Sequence, residues 1–185
     1  MEALKVELEE VIRSVDNIEG PVIDIGFGKG TISNILLDLM ISSQIPKRKF
    51  ILIDSYEKGG WQQAYDFCNN VKNYLKGEAS HIKQNALDVP DNIIGKVPCV
   101  IVDVGDYNLS SDIIKKYSKL VKKNGVIITI TPEDADKTAM LDIFKEVNSK
   151  KSNLVAGYTI TYFRAFTLKK LDDTKKPIRG KKYTD

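Results

Sequence analysis

The stretch Val22-Ile23-Asp24-Ile25-Gly26-Phe27-Gly28-Lys29-Gly30-Thr31 decides the fold. Its first four residues form an apolar run typical of a buried β-strand, and three glycines at alternate positions lead directly into a helical pattern. Glycines let the main chain approach a ligand, and the first N–H groups of a helix are free to donate. The spacing is not that of a dinucleotide-binding turn, because neither Thr31 nor Ser33 supplies the last glycine, nor is it that of a P-loop. The pattern predicts a nucleotide-like ligand but does not favour pyrophosphate.

Strand and helix patterns alternate on both sides of this stretch. Strands are predicted at residues 21–25, 49–54, 79–84, 97–103, 126–130, 155–160 and 162–168, and helices at residues 2–16, 31–41, 60–76, 112–122 and 132–149. Asn124-Gly125 is predicted to close the fourth of these helices in a left-handed conformation. The last two strands follow each other without room for a crossover helix, so they must pair antiparallel. We expect an α/β, Rossmann-like doubly wound sheet of seven strands, mostly parallel with an antiparallel terminal strand.

The composition fits one soluble globular domain. The chain has 185 residues, of which 42% are apolar and 29% charged, enough for one sizeable core. A single domain is predicted over residues 1–168, with an N-terminal helix within residues 1–18. No apolar stretch approaches the ~20 residues of a membrane helix, and the N-terminus lacks a signal-peptide pattern. We therefore expect a cytoplasmic protein.

The positive charge of the chain is concentrated in a C-terminal tail, residues 169–185. This tail holds seven Lys or Arg and three Asp residues, whereas residues 1–168 are close to neutral. Two interpretations stay open: a solvated terminal segment, or a flexible arm that contacts nucleic-acid phosphate or another acidic partner.

The cysteines and the single histidine exclude several classes of site. Cys68 and Cys99 have no His or Cys at metal-ligand spacing, so neither a disulfide framework nor a zinc site is expected. Both cysteines are predicted to be core residues. His81 lies in a predicted strand. A packed or surface role is favoured for His81 over a catalytic one. Because it is the single histidine, any Ser-His-Asp triad in this chain would have to contain it.

The pattern acid-x-Gly-x-Gly-x-Gly, here Asp24 to Gly30, resembles the class I S-adenosylmethionine-dependent methyltransferases. Further similar segments follow in the same order as in that family. The second strand ends in an acid, Asp54; Asn85-Ala86-Leu87-Asp88 is similar to the segment near the adenine; and residues 120–128 are similar to a Leu-x-x-x-Gly-Gly segment. The alternative is another doubly wound domain in which the glycines only permit close helix–strand packing.

The resemblance implies S-adenosyl-L-methionine as cofactor and a set of residues that bind it. Asp24 would receive the methionyl ammonium, with a buried structural acid as the alternative, and Asp54 would hold the ribose hydroxyls, with a surface cap as the alternative. The complete implied set is Asp24, Gly26, Phe27, Gly28, Gly30, Asp54, Ser55, Asn85, Ala86 and Asp103.

Asp103, Asp106 and Tyr107 follow the fourth strand and are the predicted catalytic residues. Methyl transfer is an in-line displacement, so these residues would chiefly align the acceptor, and general-base chemistry is optional. Their segment is similar to the catechol-type and macrocin-type O-methyltransferases, although no histidine follows Asp106. Magnesium is not favoured: Glu133 and Asp134 could add oxygen ligands, but they are ordinary first-turn residues of a predicted helix.

The function that this resemblance implies is methyl transfer to a hydroxyl or amino acceptor, with a small molecule slightly favoured. The alternative is a methyltransferase-like nucleic-acid-binding module, or an RNA or DNA methyltransferase that uses the basic C-terminal tail. A nicotinamide-dependent oxidoreductase is disfavoured by the glycine spacing. Trp61 has two open interpretations: a core residue, or a residue that closes over the adenine or the substrate.

Overall fold

The computed structural model describes residues 2–104, 107–132, 151–155 and 158–164. The helices are α1 (Glu2–Arg13), α2 (Thr31–Ile41), α3 (Trp61–Asn70), α4 (Asp91–Ile94) and α5 (Tyr107–Ser118), and one π-helical turn, Val71–Leu75, extends α3. The strands are β1 (Val22–Ile25), β2 (Phe50–Asp54), β3 (Ala79–Lys83), β4 (Val97–Val102), β5 (Val121–Pro132), β6 (Lys151–Val155) and β7 (Tyr158–Arg164).

The strands form one sheet in the order β3-β2-β1-β4-β5-β7-β6. Strands β1 to β5 pair in parallel, so the α/β, Rossmann-like parallel sheet expected from the sequence is confirmed. Strand β7 pairs antiparallel with β5, and β6 pairs antiparallel with β7. Since β1 lies between β2 and β4, the chain reverses its direction of progress across the sheet at β1, and ligands of such sheets bind at that point beyond the carboxyl ends of the strands.

Two apolar layers cover the two faces of the sheet. Apolar residues of α1, α2 and α3 pack on one face, and those of α4 and α5 on the other. Successive residues of β1 are divided between the layers: Val22 belongs to the first and Ile23 to the second. This alternation is the period of two that a strand imposes, and it explains why the parallel strands are apolar on both faces.

Arg48 is buried at the amino-end edge of the sheet, just before β2. Its guanidinium donates to the carbonyls of Val15 (2.6 Å) and Ile18 (2.7 Å), which follow α1. Burial lowers the pKa of Arg48, while the Cys99 thiol and Asp16 oppose that shift. The side chain therefore ties the end of α1 to the strand entrance.

The predicted helix at residues 112–122 is wrong at both ends. Helix α5 begins at Tyr107 and ends at Ser118, and β5 already begins at Val121. Asn124 is left-handed as expected, with φ 64°, but it lies inside β5 and does not close a helix. The main-chain N–H of Val97 donates to the carbonyl of Leu120 (2.9 Å), so strand pairing to β4 takes over where the apolar pattern suggests a continued helix.

The apolar spacing within residues 60–76 predicts a buried face made of Trp61, Ala64, Tyr65, Cys68, Val71 and Leu75, and this prediction is partly wrong. Ala64, Val71 and Leu75 are buried as expected, but Trp61 is 42% exposed and Tyr65 is exposed, while Phe67 lies in the core. Cys99 is buried as predicted, whereas Cys68 is only half-buried.

Two predictions concern the C-terminal third of the chain. The expected break between residues 160 and 162 is wrong, because Tyr158–Arg164 is one continuous strand. The helix predicted at 132–149 lies beyond the described residues from position 133 onward, as does the basic tail. Within the described ranges, no helix combines the length and apolarity needed to cross a membrane.

Candidate functional site

The glycine turn, residues 26–30, lies at the carboxyl edge of the sheet between β1 and α2. The Gly26 N–H donates to a carbonyl of β2 (2.9 Å), and the Asp103 N–H donates to a carbonyl of β1 (2.8 Å). A Cβ on Gly26 would overlap the carbonyl of Asp103, and Gly26, Gly28 and Gly30 all have positive φ. The close approach to β4 and the main-chain conformation therefore require glycine here.

Phe27 packs between the glycine turn and the hydrophobic core. Its side chain is buried, its ring meets that of Phe67 edge-on at a centroid distance of 5.5 Å, and a Cβ on Gly30 would overlap it. The Phe27 ring thus belongs to the core, which leaves only main-chain atoms of this residue for a ligand.

Asp54 joins the glycine turn to the loop after β2. Its Oδ2 accepts a hydrogen bond from the Gly28 N–H (3.1 Å), and its Oδ1 accepts one from the Tyr56 N–H (2.7 Å). The structure thus brings together the two sequence features, the acid at the end of the second strand and the glycine turn. Ser55 lies half-buried between these contacts.

Asp24 is only 2% exposed, and its Oδ2 accepts a hydrogen bond from the Ser33 hydroxyl of α2 (2.6 Å). Burial raises the pKa of Asp24 to about 7; Asp103 and Asp54 raise it further, and the Ser33 hydrogen bond opposes them. The hydrogen bond from Ser33 fits the alternative considered for Asp24 in the sequence analysis, a buried structural acid. Contact of Asp24 with a ligand stays a prediction.

Asp103 completes a negatively charged edge at the ends of β1, β2 and β4. Burial raises the pKa of Asp103 to about 6, and the nearby charge of Asp54 adds to that shift. The charge of Asp54 raises the pKa of both Asp24 and Asp103, and Asp103 also raises that of Asp24, so a positively charged ligand would relieve the repulsion at this edge.

The structure does not place the other predicted catalytic side chains or the two acids considered as possible magnesium ligands. Asp106, Glu133 and Asp134 lie outside the described residues, and only the main chain of Tyr107 is described, at the start of α5. Among the residues that are described, no three His, Cys, Asp or Glu side chains lie close enough together to hold a metal ion.

Helix α5 fixes the loop after β3, which contains Asn85 and Ala86. Asn85 is exposed, and its Oδ1 accepts the Leu87 N–H (2.9 Å). The Ala86 carbonyl accepts hydrogen bonds from the Tyr117 hydroxyl (2.9 Å) and the Lys116 ammonium (3.1 Å). Sequence reasoning missed Lys116 and Tyr117, because a lysine next to a buried tyrosine on a helix has no distinctive pattern.

An aromatic cluster flanks the site on the β3 side. The Trp61 ring lies edge-on to Tyr56 (5.2 Å between centroids) and to His81 (4.4 Å), and the Lys83 ammonium is 5.7 Å from its centre. The core interpretation of Trp61 is wrong, because the side chain is half-exposed. Its closure over a ligand stays a prediction.

Gly60 holds the loop before α3 against the glycine turn. A Cβ on Gly60 would lie 2.5 Å from the carbonyl oxygen of Gly28, and Gly60 has a φ of +92°. The loop that carries Tyr56 and leads into Trp61 therefore rests directly on the glycine turn.

A separate surface cavity of about 380 Å³ lies where α1 and α2 end and β2 begins, at the opposite edge of the sheet. It is lined by Arg13, Asp16, Met40, Ser43, Gln44, Ile45, Pro46 and Lys47. None of the residues predicted from the sequence to bind a cofactor lines it.

The sequence matches no family model and no curated protein. Solved structures do match. CalS11, a TDP-rhamnose 3′-O-methyltransferase of calicheamicin biosynthesis, has 13% identity and a TM-score of 0.65 over 88% of this chain and 79% of its own. An rRNA methylase from Streptococcus thermophilus has 12% identity and a TM-score of 0.58, covering 89% of this chain and 95% of its own.

The N-methyltransferase NodS from Bradyrhizobium japonicum, solved with S-adenosyl-L-homocysteine, has 12% identity and a TM-score of 0.59 over 88% of this chain and 86% of its own. The chain spans only 56% of the length of another match, an O-methyltransferase family protein from Burkholderia thailandensis. The architecture inferred from the glycine turn is thereby confirmed: the chain has the fold that these solved methyltransferase structures share.

Proposed function

We propose that this protein is an S-adenosyl-L-methionine-dependent methyltransferase. The observation that carries the proposal is the bridge from the Asp54 carboxylate to the Gly28 N–H (3.1 Å). This hydrogen bond joins a carboxylate, which only accepts hydrogen bonds when ionised, to the glycine-rich turn that leads into α2. Both lie at the carboxyl edge of the sheet, where β1 pairs with β2 on one side and with β4 on the other. A nucleoside with a cationic side arm needs both parts.

The described residues fit such a cofactor. Asp54 would accept hydrogen bonds from the ribose hydroxyls, and Gly26, Gly28 and Gly30 would border the methionyl part. A Cβ on Gly28 would meet only the Gly26 carbonyl, at an ordinary 3.7 Å, so the outer side of the turn leaves room. Ser55, Asn85 and Ala86 would lie towards the adenine.

The negative edge formed by Asp24, Asp54 and Asp103 suits the cofactor's positive groups. When bound, the cofactor supplies a methyl group on a positively charged sulfur. Asp24 would attract the methionyl ammonium, directly or through water, from its position beneath the turn. A carboxylate near the sulfur favours binding of a sulfonium over a neutral thioether, because only the sulfonium carries the matching charge.

Asp103, Asp106 and Tyr107 would orient the methyl acceptor from the end of β4. With a pKa of about 6, Asp103 is mostly ionised at pH 7 to 8 and can take a proton from an acceptor hydroxyl. A hydroxyl or amino group on a small molecule is the favoured acceptor, supported by the near-neutral body of the chain and by the architecture shared with CalS11. Magnesium is not required by this scheme.

An RNA or DNA substrate, or nucleic-acid binding without catalysis, is the second candidate. The match to an rRNA methylase over 95% of that chain supports it, together with the basic tail at residues 169–185. Deletion of residues 170–185 would then abolish a salt-dependent RNA or DNA mobility shift, whereas a small-molecule enzyme would show no such shift in either form.

Calorimetric titration with S-adenosyl-L-homocysteine tests the proposal. We expect micromolar-scale binding that is lost in Asp54→Ala and in Gly28→Val, because the first removes the acceptor and the second places a β-branched side chain at φ +50°. Asp38→Ala, which removes an exposed carboxylate of α2, is the matched control and should bind normally. Binding of NAD without binding of S-adenosyl-L-homocysteine would overturn the proposal.

A further inference from the structure

Tyr56 has an unusual main chain next to Asp54. Its φ is +57°, a left-handed conformation that bulky residues rarely adopt. The Tyr56 N–H donates to Asp54 Oδ1 (2.7 Å), so the turn that aims this side chain is held by the same carboxylate that contacts the glycine turn. Strained positions of this kind persist where the surroundings hold them, and they occur most often at ligand sites.

The Tyr56 side chain is only 8% exposed, and no described residue offers its hydroxyl a hydrogen bond. The ring packs edge-on against Trp61 and belongs to the apolar layer that contains Phe27 and Phe67. Leaving a buried hydroxyl without a partner is unfavourable. A strained main chain that carries an unpartnered hydroxyl into the protein points to a partner that is not part of this chain.

Charged groups of the candidate site act on the Tyr56 hydroxyl. Burial raises the pKa of Tyr56, and Asp54, Cys68 and Asp24 raise it further. The hydroxyl therefore keeps its proton and is available as a hydrogen-bond donor. The groups that act on it come from β2, α3 and β1, the elements that surround the glycine turn.

We propose that the Tyr56 hydroxyl is a ligand-binding group of the candidate site, and that it donates a hydrogen bond to an oxygen of the bound S-adenosyl cofactor. This inference rests on the proposed function and adds to it a contact that the glycine-turn pattern does not contain. The accepting oxygen belongs either to the ribose or to the methionyl carboxylate, and the two sources are distinguished with 5′-methylthioadenosine, which has the ribose and lacks the carboxylate.

The test compares Tyr56→Phe with Tyr162→Phe in the full chain. Tyr162 is also buried, but its hydroxyl donates to Glu7 of α1 (3.2 Å), so it is a matched control with a partner within the protein. Affinity for S-adenosyl-L-homocysteine and for 5′-methylthioadenosine is measured by calorimetry, and the melting temperature of the ligand-free protein is measured for each variant.

In Tyr56→Phe we expect about a tenfold loss of affinity for S-adenosyl-L-homocysteine, the size of one buried hydrogen bond, and a melting temperature equal to or above that of the wild type. An equal loss for 5′-methylthioadenosine assigns the ribose, and an unchanged affinity for it assigns the carboxylate. Tyr162→Phe should leave both affinities unchanged and lower the melting temperature.

Wild-type affinity in Tyr56→Phe would overturn this inference while the proposed function stands. A lowered melting temperature of the ligand-free Tyr56→Phe protein would also overturn it, because the hydroxyl would then have a structural partner. Failure of the wild type to bind S-adenosyl-L-homocysteine would overturn the proposed function and this inference together.

Discussion

Replacing Asp24 by Asn should change how the stability of the ligand-free protein depends on pH. Asp24 is fully buried, and burial raises its pKa from 3.8 to about 7. Because the pKa in the folded state is above that in the unfolded state, the native protein holds a proton that the unfolded chain releases between these pH values. The stability contributed by protonated Asp24 is fully present below about pH 4 and is lost as pH rises through about 7.

The size of the effect follows from the shift. At 1.36 kcal/mol per pKa unit, a shift from 3.8 to about 7 corresponds to about 4 kcal/mol in total. About 3 kcal/mol of this falls between pH 5 and pH 8, where urea unfolding of a folded protein is practical. Asn keeps an oxygen that can accept the Ser33 hydrogen bond (2.6 Å in the wild type) and does not ionise.

Urea denaturation of the wild type and Asp24→Asn at several pH values between 5 and 9 measures the difference. We expect the free energy of unfolding of Asp24→Asn, relative to the wild type, to rise by about 3 kcal/mol from pH 5 to pH 8. Asp38→Asn on the exposed side of α2 should run parallel to the wild type. Parallel curves for Asp24→Asn as well would refute the reasoning, because burial would then impose no cost on the charge. The same variant should bind S-adenosyl-L-homocysteine less tightly, since it loses the attraction for the ammonium.

Three further predictions concern the loops around the glycine turn. Gly60→Ala should weaken S-adenosyl-L-homocysteine binding and lower the melting temperature, because its Cβ would lie 2.5 Å from a carbonyl oxygen of the glycine turn. Gly59→Ala is the control, since Gly59 has a similar φ of +94° and its Cβ would have no atom within 4 Å. Equal effects of the two substitutions, measured by calorimetry and thermal denaturation, would count against the contact. Tyr117→Phe should destabilise the protein by about 1 kcal/mol in urea denaturation, since it removes a buried hydrogen bond of 2.9 Å; no change in stability would show that water replaces the bond. Trp61 is the one tryptophan of the chain, so its fluorescence should change when S-adenosyl-L-homocysteine binds, and a constant spectrum on saturation would place its ring away from the ligand.

The parallel part of the fold could be predicted because its signals are local. The apolar run at residues 22–25 and the glycines after it specify a strand, a turn and a helix within ten residues. The end of α5 could not be predicted in this way. Leu120 and Val121 continue the apolar spacing of the helix, but hydrogen bonding to β4 outweighs that spacing, and no local pattern contains the partner strand.

The prediction of which face of α3 is buried was wrong for a related reason. Trp61 and Tyr65 suggest a buried stripe because they are large and lie four residues apart. The helix buries Ala64 as expected but turns Phe67 inwards in place of Trp61 and Tyr65, and the residue before its first turn, Gly60, rests on the glycine turn. That contact joins residues 32 positions apart and is visible only in the folded chain.

Within the candidate site, the sequence supports the meeting of Asp54 with the glycine turn, because both follow the ends of neighbouring parallel strands. It does not contain the Ser33 hydrogen bond to Asp24 or the left-handed conformation of Tyr56. The Ser33 hydrogen bond depends on how α2 is placed over β1. The conformation of Tyr56 depends on a hydrogen bond to Asp54, which no local sequence pattern around this tyrosine predicts.

Because β1 lies between β2 and β4, the two sides of the crevice come from different parts of the chain. The proposed cofactor side, apart from Asp103, comes from residues 24–86, whereas the proposed acceptor side begins only at the end of β4. A library that varies positions after 103 could therefore search for new acceptors while the cofactor half is inherited unchanged. In a protein of this architecture, substrate range can diversify by altering one end of the polypeptide.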